Sequence, residues 1–248
     1  MLKTDDPFYD NRFIRNWVLA SILALITGTL VSWYSARWGL DLAELLKAGM
    51  RTFVPNQGVG EVVLSLPVYI VTTTSVGAMV GVSMAFAQWL VLRKWVNWAK
   101  EWLVASLLGA LLSYAGMAAL NILAILLDPD PRLLKAIADS GFWLGAIMGL
   151  AQWRVLRKYT SSAFWWIVAS VGLWGLGSTL NHLWGQQVIR FVSGLMSLFL
   201  RRGLGLRGAG ALRLFTIAQL GLWTVAGAIG GGIAGKLLAW LMHKPLKE

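Results

Sequence analysis

The sequence is poor in the residues on which most catalytic and metal sites depend. It has no cysteine, only 2 histidines and only 11 aspartates and glutamates among 248 residues. The lack of cysteine excludes disulfide bonds, thiolate metal ligands and cysteine nucleophiles. No carboxylate falls inside a predicted spanning segment, whereas proton-coupled and cation-coupled carriers commonly place one there. We therefore expect no catalytic residues, no metal and no enzymatic activity.

Hydrophobic residues make up 57% of the chain, which is more apolar surface than a soluble domain of this length could bury. A spanning helix needs about 20 mostly apolar residues. The sequence predicts an all-α integral membrane protein that forms one membrane domain, residues 1–248, with about six transmembrane helices. The predicted spans are residues 16–38, a segment that starts between 68 and 74 and ends at 92, 102–127, 141–156, 164–183 and 214–242. A loop is expected over residues 39–61, and within it the apolar and charged residues of 41–47 suggest a short amphipathic turn at the interface.

The chain contains an internal repeat. Residues 77–106 align without gaps on residues 141–170, and 15 of the 30 positions are identical. The two cores read AQWLVLRK and AQWRVLRK, and each is followed by a V-A-S triplet. Because each copy contains two predicted spans, both copies enter the membrane in the same direction. The sequence thus predicts two parallel-repeat helical hairpins.

The repeated pattern carries a resemblance to known proteins. A G-x-x-x-G segment followed by QW-x-VLR and then by W-x-x-AS resembles a group of polytopic membrane proteins of cyanobacteria and Chloroflexi that has no assigned function. The resemblance covers residues 77–177. It implies a bacterial membrane location, with a photosynthetic membrane as an alternative, and it carries over no catalytic residues.

Small residues recur every four positions on three predicted helices. Such stripes let helix backbones approach closely, which is how membrane helices pack. The glycines of these stripes are Gly77, Gly81, Gly141, Gly145, Gly149, Gly227, Gly231 and Gly235. We predict that they are the helix-packing surfaces of a compact bundle.

Two glutamines follow the glycine stripes on the same helix faces, so both amides should point into the bundle. They are Gln88 and Gln152, and hairpin geometry makes Ser106 and Ser170 their nearest hydrogen-bond partners. Buried polar contacts of this kind help to hold membrane helices together. The alternative is that the amides contact a ligand or a substrate.

Tryptophans and basic residues mark one end of each repeated helix. Indoles at this position anchor a helix at the level of the lipid headgroups, and the basic pairs cap it. The predicted interfacial anchors are Trp89, Trp153, Arg93, Lys94, Arg157 and Lys158. Positive charge in tight turns favours the cytoplasmic side. We therefore place the N-terminus in the cytoplasm and the protein in a bacterial inner or thylakoid membrane.

The segment of residues 186–213 has too few apolar residues to span a membrane. Its arginines are Arg190, Arg201, Arg202, Arg207 and Arg213. We predict an interfacial amphipathic segment whose arginines contact anionic lipid or a partner protein. Nucleic acid is excluded as a partner because the basic residues are dispersed among membrane segments.

One histidine leaves a cofactor alternative open. His182 lies near the end of the fifth predicted span, and its simplest interpretation is an interfacial histidine. The alternative is axial ligation of a chlorophyll, which the 15 tryptophans and 9 phenylalanines of the chain could surround. No cofactor is predicted beyond bound lipid, and chlorophyll or carotenoid is the alternative.

These features favour a non-enzymatic accessory or scaffold subunit that packs against other membrane subunits or self-associates. Glycine stripes, aromatic helix edges and the lack of a reactive cluster motivate this prediction. Two alternatives remain open. One is a small transporter or channel, which would need a polar cavity that reaches the membrane midplane. The other is a pigment- or quinone-associated antenna component.

Overall fold

The computed structural model describes residues 11–51, 53, 79–127, 141–201 and 208–243, and these residues form six helices. The helices are α1 (Asn11–Met50), α2 (Met79–Leu92), α3 (Ala99–Leu127), α4 (Gly141–Leu156), α5 (Phe164–Arg201) and α6 (Gly208–Met242). The start of the second predicted span lies outside the described residues.

Three helices contain segments that are long and apolar enough to cross a membrane. The segments are Asn11–Ser32 in α1, Ala99–Leu120 in α3 and Leu220–Met242 in α6. The described part of α2 is a shorter apolar helix. The protein is therefore all-helical in its described part, and its long apolar helices are those of a membrane-embedded protein.

The first helix is longer than the sequence predicts. The expected loop from residue 39 is wrong as far as Met50, because α1 continues without a break to that residue. Residues 40–50 consist mostly of leucine, alanine, glutamate and lysine, which are strong helix formers, and the next proline is Pro55. The apolar segment of α1 ends at Ser32, whereas residues with high helix propensity continue to Met50.

The predicted interfacial segment, residues 186–213, does not form a helix of its own in the described chain. α5 runs from Phe164 to Arg201 as one helix, and residues 208–213 are the first residues of α6. Residues 202–207 lie outside the described residues. The 38 residues of α5 measure about 57 Å at 1.5 Å per residue, which exceeds the ~30 Å of a hydrocarbon core.

Each described helix packs against the next one along the chain. Gly28 on α1 lies against Val80 and Ser83 on α2, and Gly81 on α2 lies against Ala110 on α3. The pairs α3 and α4, α4 and α5, and α5 and α6 follow, and α6 returns to α1. The six helices therefore close into a ring.

One end of the ring is filled by a buried core, which we call the aromatic end. It is formed by residues at the starts of α1, α3 and α5 and in the last turns of α2, α4 and α6. The buried residues at the starts are Phe13, Trp17, Trp98, Ala99, Trp102, Ala163 and Trp166; those at the ends are Val91, Leu92, Val155, Leu156, Leu238, Ala239 and Leu241. Neighbouring helices therefore run in opposite directions around the ring.

Candidate functional site

α4 and α5 approach so closely that no side chain fits between them along the glycine stripe. A Cβ atom at Gly145 would lie 2.7 Å from the Cα of Val171, and one at Gly149 would lie 2.9 Å from the Cβ of Ser170. Cβ atoms essentially never come within 3.0 Å of another residue's heavy atoms. Gly141 also faces the backbone of α5. These three glycines are thus points of backbone contact between the two helices.

α6 packs on α1 in a similar way. A Cβ at Gly227 would lie 2.9 Å from the Cα of Ile22, and one at Gly231 would lie 2.8 Å from the Cβ of Ser21. Gly235 faces the ring of Trp17 on α1. The described stripe glycines therefore face neighbouring helices of the same chain, and they do not form an open surface for a partner.

Each duplicated hairpin holds one buried glutamine against one buried tryptophan. The indole Nε1 of Trp102 donates a hydrogen bond to Gln88 Oε1 at 3.1 Å, and Trp166 Nε1 donates to Gln152 Oε1 at 2.7 Å. An indole N–H can only donate, so it must face the amide oxygen, and the amide nitrogen must point elsewhere. Gln152 Nε2 donates to Ser106 Oγ at 2.8 Å. Gln88 Nε2 has no hydrogen-bond partner among the described residues.

These partners differ from the ones expected from hairpin geometry. The sequence suggests that each glutamine bonds the serine of its own hairpin, whereas Gln152 bonds Ser106 of the other hairpin. Each tryptophan precedes the hairpin serine by one helical turn and lies on the same face. The larger indole reaches the amide oxygen of its own hairpin, which leaves the amide nitrogen to turn toward the neighbouring one. Gln88, Gln152, Ser106 and Ser170 are all buried.

The basic turns carry stacked cations and indoles at the aromatic end. The Arg93 guanidinium lies 5.0 Å from the centroid of the Trp89 ring, and the Arg157 guanidinium lies 4.9 Å from that of Trp153. A cation over an indole face is attracted by the ring quadrupole. Lys94 is exposed on its turn. An arginine stacked on a tryptophan thus lies at the end of both α2 and α4.

One ion pair joins the basic turn that follows α4 to the start of α3. Lys158 Nζ lies 2.7 Å from Glu101 Oε2, and the hydrogen bond to this carboxylate raises the pKa of Lys158. Both side chains are well exposed, so water screens the attraction and the pair contributes little to stability.

The ring surrounds a half-open cavity of about 290 Å³ that is lined by residues from all six helices. From Trp166 in the aromatic end it extends along α5 to Ser178, which is about 18 Å at 1.5 Å per residue. The aromatic lining residues are Trp17, Tyr114, Trp166, Trp174 and Trp223, and the polar ones are Ser21, Gln88, Gln152, Ser170 and Ser178. None of the described lining residues is charged.

Trp17 is one of the lining residues that the sequence did not predict as part of a site. Trp17 is fully buried, and its indole Nε1 has no hydrogen-bond partner among the described residues. Its ring contacts Trp102 edge to face, with 6.4 Å between centroids. A buried donor without an acceptor costs about 1–3 kcal/mol and is rare in native structures. Trp17 therefore needs a physical explanation.

α6 packs on α1 in the register in which α4 packs on α5. The Cβ of Gly149 would lie 2.9 Å from the Cβ of Ser170. The Cβ of Gly231 would lie 2.8 Å from the Cβ of Ser21, the residue one turn beyond Trp17. In both helices the residue three positions after this glycine faces the cavity.

That residue is Gln152 in α4 and Ala234 in α6. Trp17 thus has the same position relative to Ala234 as Trp166 has relative to Gln152. The methyl group of Ala234 cannot accept a hydrogen bond, whereas the amide oxygen of Gln152 accepts one from Trp166. The sequence holds a signal for this position, because W-x-x-A-S occurs at residues 17–21 as well as in both repeats. The packed pair of α6 and α1 is not a contiguous hairpin in the sequence, because the two helices lie at opposite ends of the described chain.

Several predicted site residues cannot be located in full. Gly77, Arg202 and Arg207 lie outside the described residues. His182, Arg201 and Arg213 lie in helices, but their side chains are outside the described part, so the pigment-ligand alternative stays a prediction. Arg190 is exposed on α5, and its contact with lipid or a partner also stays a prediction. Among the described residues, no group of three or more His, Cys, Asp or Glu side chains could hold a metal ion.

No protein-family model, no curated protein and no solved structure matches this chain.

Proposed function

We propose that the protein is a membrane-embedded binding protein that holds one small, neutral, lipophilic molecule in the cavity of its helix ring. The observation that carries this proposal is the cavity of about 290 Å³ with uncharged described lining. Transfer of an ion into such surroundings is very costly, whereas an apolar molecule gains from leaving water or lipid headgroups. The proposed ligand is therefore uncharged.

The size of the cavity limits the ligand further. It is nearly twice the ~150 Å³ of an engineered cavity that binds benzene, and it falls at the small end of the ~300–1,000 Å³ usual for ligand pockets. Apolar walls with a few polar groups are typical of sites that bind small molecules. A ligand with a fused pair of six-membered rings, or a chain of similar volume, would fill it.

We also propose that all six helices cross the membrane and that the ring consists of three copies of one hairpin. Two copies are the duplicated segments, and the third is α6 with α1, joined through space instead of through the chain. The repeated glycine contacts and the three W-x-x-A-S motifs support this arrangement. A ring of three copies leaves a central space because each hairpin packs only on its two neighbours.

The binding role contains no chemical step. It corresponds to the alternatives of a transporter or a quinone-associated protein more closely than to a scaffold, because the described glycine stripes are used within the ring. The ligand would enter from the bilayer, in which lipophilic molecules are concentrated.

The binding proposal is tested by replacing cavity-lining glycines with leucine at positions where the new side chain clashes with no neighbour and fills part of the cavity. Gly177 and Gly230 line the cavity, and a Cβ at either has no described neighbouring atom within 4 Å. Gly177→Leu and Gly230→Leu should weaken binding of 2-methylnaphthalene at least tenfold in nanodiscs, with protein-free nanodiscs subtracted. Gly172 and Gly221 are equally open but do not line the cavity, so Gly172→Leu and Gly221→Leu are matched controls. Equal binding by all four variants would contradict the proposal.

The orientation predicted from the basic turns stays part of the proposal. We propose that the aromatic end faces the cytoplasm of a bacterial or thylakoid membrane, because Arg93 and Arg157 cap helices there and positive turns favour that side. The native chain has no cysteine, so a single introduced thiol reports position unambiguously. A Lys94→Cys variant should react with an impermeant maleimide only after the cytoplasmic face is opened. Labelling of this variant in intact cells would contradict the proposed orientation and place the aromatic end outside the cytoplasm.

An accessory role is the second proposal, and the length of α1 favours it. α1 continues 18 residues past Ser32, about 27 Å, and Leu42, Leu45 and Leu46 are 52%, 71% and 44% exposed on this extension. We propose that the extension mediates self-association. Replacing the three leucines by serine should convert an oligomer to a monomer in native mass spectrometry without loss of 2-methylnaphthalene binding. A wild-type protein that is monomeric in mild detergent would contradict this role.

A further inference from the structure

We propose that Trp17 is the polar contact of the cavity: its indole N–H donates a hydrogen bond to an oxygen acceptor, such as a carbonyl, on the lipophilic ligand. This inference rests on the proposed binding function and specifies the ligand class. The indole is fully buried, lines the cavity and lacks a partner among the described residues.

The comparison with Trp166 shows why this donor is left for a ligand. Trp166 donates to Gln152 at 2.7 Å, which satisfies the indole inside the protein. At the corresponding place near Trp17 stands Ala234, whose methyl group accepts no hydrogen bond and leaves space in the cavity wall. An acceptor at Trp17 must therefore come from a molecule in the cavity.

A second donor faces the same cavity. The oxygen of Gln88 is held by Trp102, so the amide nitrogen is the free end, and it has no partner among the described residues. Trp17 and Trp102 are in ring contact, which brings this amide near Trp17. Two donors in an apolar, aromatic wall favour a ligand that has oxygen acceptors and few donors of its own.

The aromatic walls select for shape. Four tryptophans and one tyrosine line the cavity, and aromatic rings pack well in offset or edge-to-face arrangements with other rings. The ligand class that meets all of these conditions is a neutral aromatic or quinonoid ring with a carbonyl group. The lack of cysteine means that a quinone probe forms no thiol adduct with this chain.

The experiment compares two probes of nearly equal size, 2-methyl-1,4-naphthoquinone and 2-methylnaphthalene, which differ in their carbonyl groups. Binding is measured by equilibrium dialysis against protein in nanodiscs. The wild type should bind the quinone about fivefold more tightly than the hydrocarbon, because the gain of one hydrogen bond is of that order. Trp17→Phe should reduce the ratio of the two affinities to about one, and this ratio is unaffected by a change in packing that alters the binding of both probes alike.

Two further variants make the result specific. Trp89 also has an unpartnered indole N–H but does not line the cavity, so Trp89→Phe should keep the preference. Ala234→Gln places an acceptor beside Trp17 and fills its space, so it should abolish the preference and weaken both probes.

The outcomes separate this inference from the proposed function. If both probes bind, are blocked by Gly177→Leu and show no carbonyl preference, the cavity binds ligands but Trp17 is not the donor. If Trp17→Phe unfolds, Ala234→Gln decides, since retention of the preference in that variant overturns the inference. If neither probe is blocked by Gly177→Leu, the binding function itself is wrong.

Discussion

Two corners of the helix ring, α4 with α5 and α6 with α1, share a packing register and differ in the residue that faces the buried tryptophan. At the first corner Trp166 donates to Gln152, and Gln152 donates onward to Ser106, so a chain of hydrogen bonds links three helices. At the second corner Trp17 packs equally deeply, but α6 offers Ala234 in place of a glutamine. At the first corner the polar groups hydrogen-bond one another and hold the helices together. The second leaves a buried donor beside open space.

Under the proposed function, this difference separates a corner that holds the bundle together from a corner that contacts the ligand. The packing register depends on backbone contacts at small residues, which are present in both corners. The residue that faces the cavity makes none of these backbone contacts, and it differs between the two corners. Where α4 has the amide of Gln152, α6 has the methyl group of Ala234, and the proposed ligand would supply the acceptor that this methyl group does not.

The largest expected effect comes from the backbone contacts that both corners share. Gly145→Leu should prevent assembly of α4 on α5, because the new side chain overlaps the backbone at Ser170 and Val171, which cannot move aside. Fluorescence-detected size exclusion should show little folded protein. Gly172→Leu on α5 is the control and should fold normally, because a Cβ there meets no described neighbour. Equal unfolding temperatures of the two variants would contradict the packing argument.

The second effect distinguishes the two glutamines. Gln152→Leu removes two hydrogen bonds and leaves the Trp166 N–H unpaired, so it should destabilise the protein by about 1–3 kcal/mol. Gln88→Leu also leaves a buried indole N–H unpaired, that of Trp102, but it removes one bond only, so it should cost about 0.6 kcal/mol less than Gln152→Leu. SDS titration of both variants measures the difference. A larger loss for Gln88→Leu would mean that the cross-hairpin bond to Ser106 contributes nothing.

A smaller effect of opposite sign is expected at the second corner. Ala234→Gln should restore the arrangement of the first corner by giving Trp17 an acceptor, and it should raise the stability of the ligand-free protein by about 0.6 kcal/mol. SDS titration in the absence of added ligand is the measurement. Ala226→Gln, on the same helix and also in the cavity lining, is the control without a tryptophan partner. A decrease in stability for Ala234→Gln alone would mean that the two corners do not correspond.

The smallest effect is expected outside the ring. Glu101→Gln should leave the unfolding temperature at neutral pH almost unchanged, since the ion pair with Lys158 is well exposed. The raised pKa of Lys158 means that the stabilisation by this pair is complete below the ordinary lysine pKa and is lost only as pH rises through the higher value of the folded state. Wild type and variant should therefore give parallel unfolding temperatures from pH 6 to pH 9. A gap that opens within that range would contradict this account.

The sequence by itself determined the helical and apolar character of the chain, because composition and the length of apolar runs are local properties. It also located the ends of α4, the start of α5 and the end of α6. It placed the glycine stripes and the two glutamines on cavity-facing or helix-facing sides through simple periodicity. The extension of α1 to Met50 was missed because hydrophobicity, and not helix propensity, defined the predicted span.

Only the tertiary structure decided which polar groups meet. Gln152 and Ser106 are 46 residues apart, and their bond depends on the packing of α3 against α4, which no local pattern encodes. The Trp17 corner needs α1 and α6, the two ends of the described chain, to lie side by side. The sequence contains both halves of that hairpin, but their correspondence with the repeats depends on contacts across the closed ring. The unpartnered indole N–H of Trp17 likewise depends on the assembled bundle, because a donor lacks a partner only when none of the helices packed around it places an acceptor within reach.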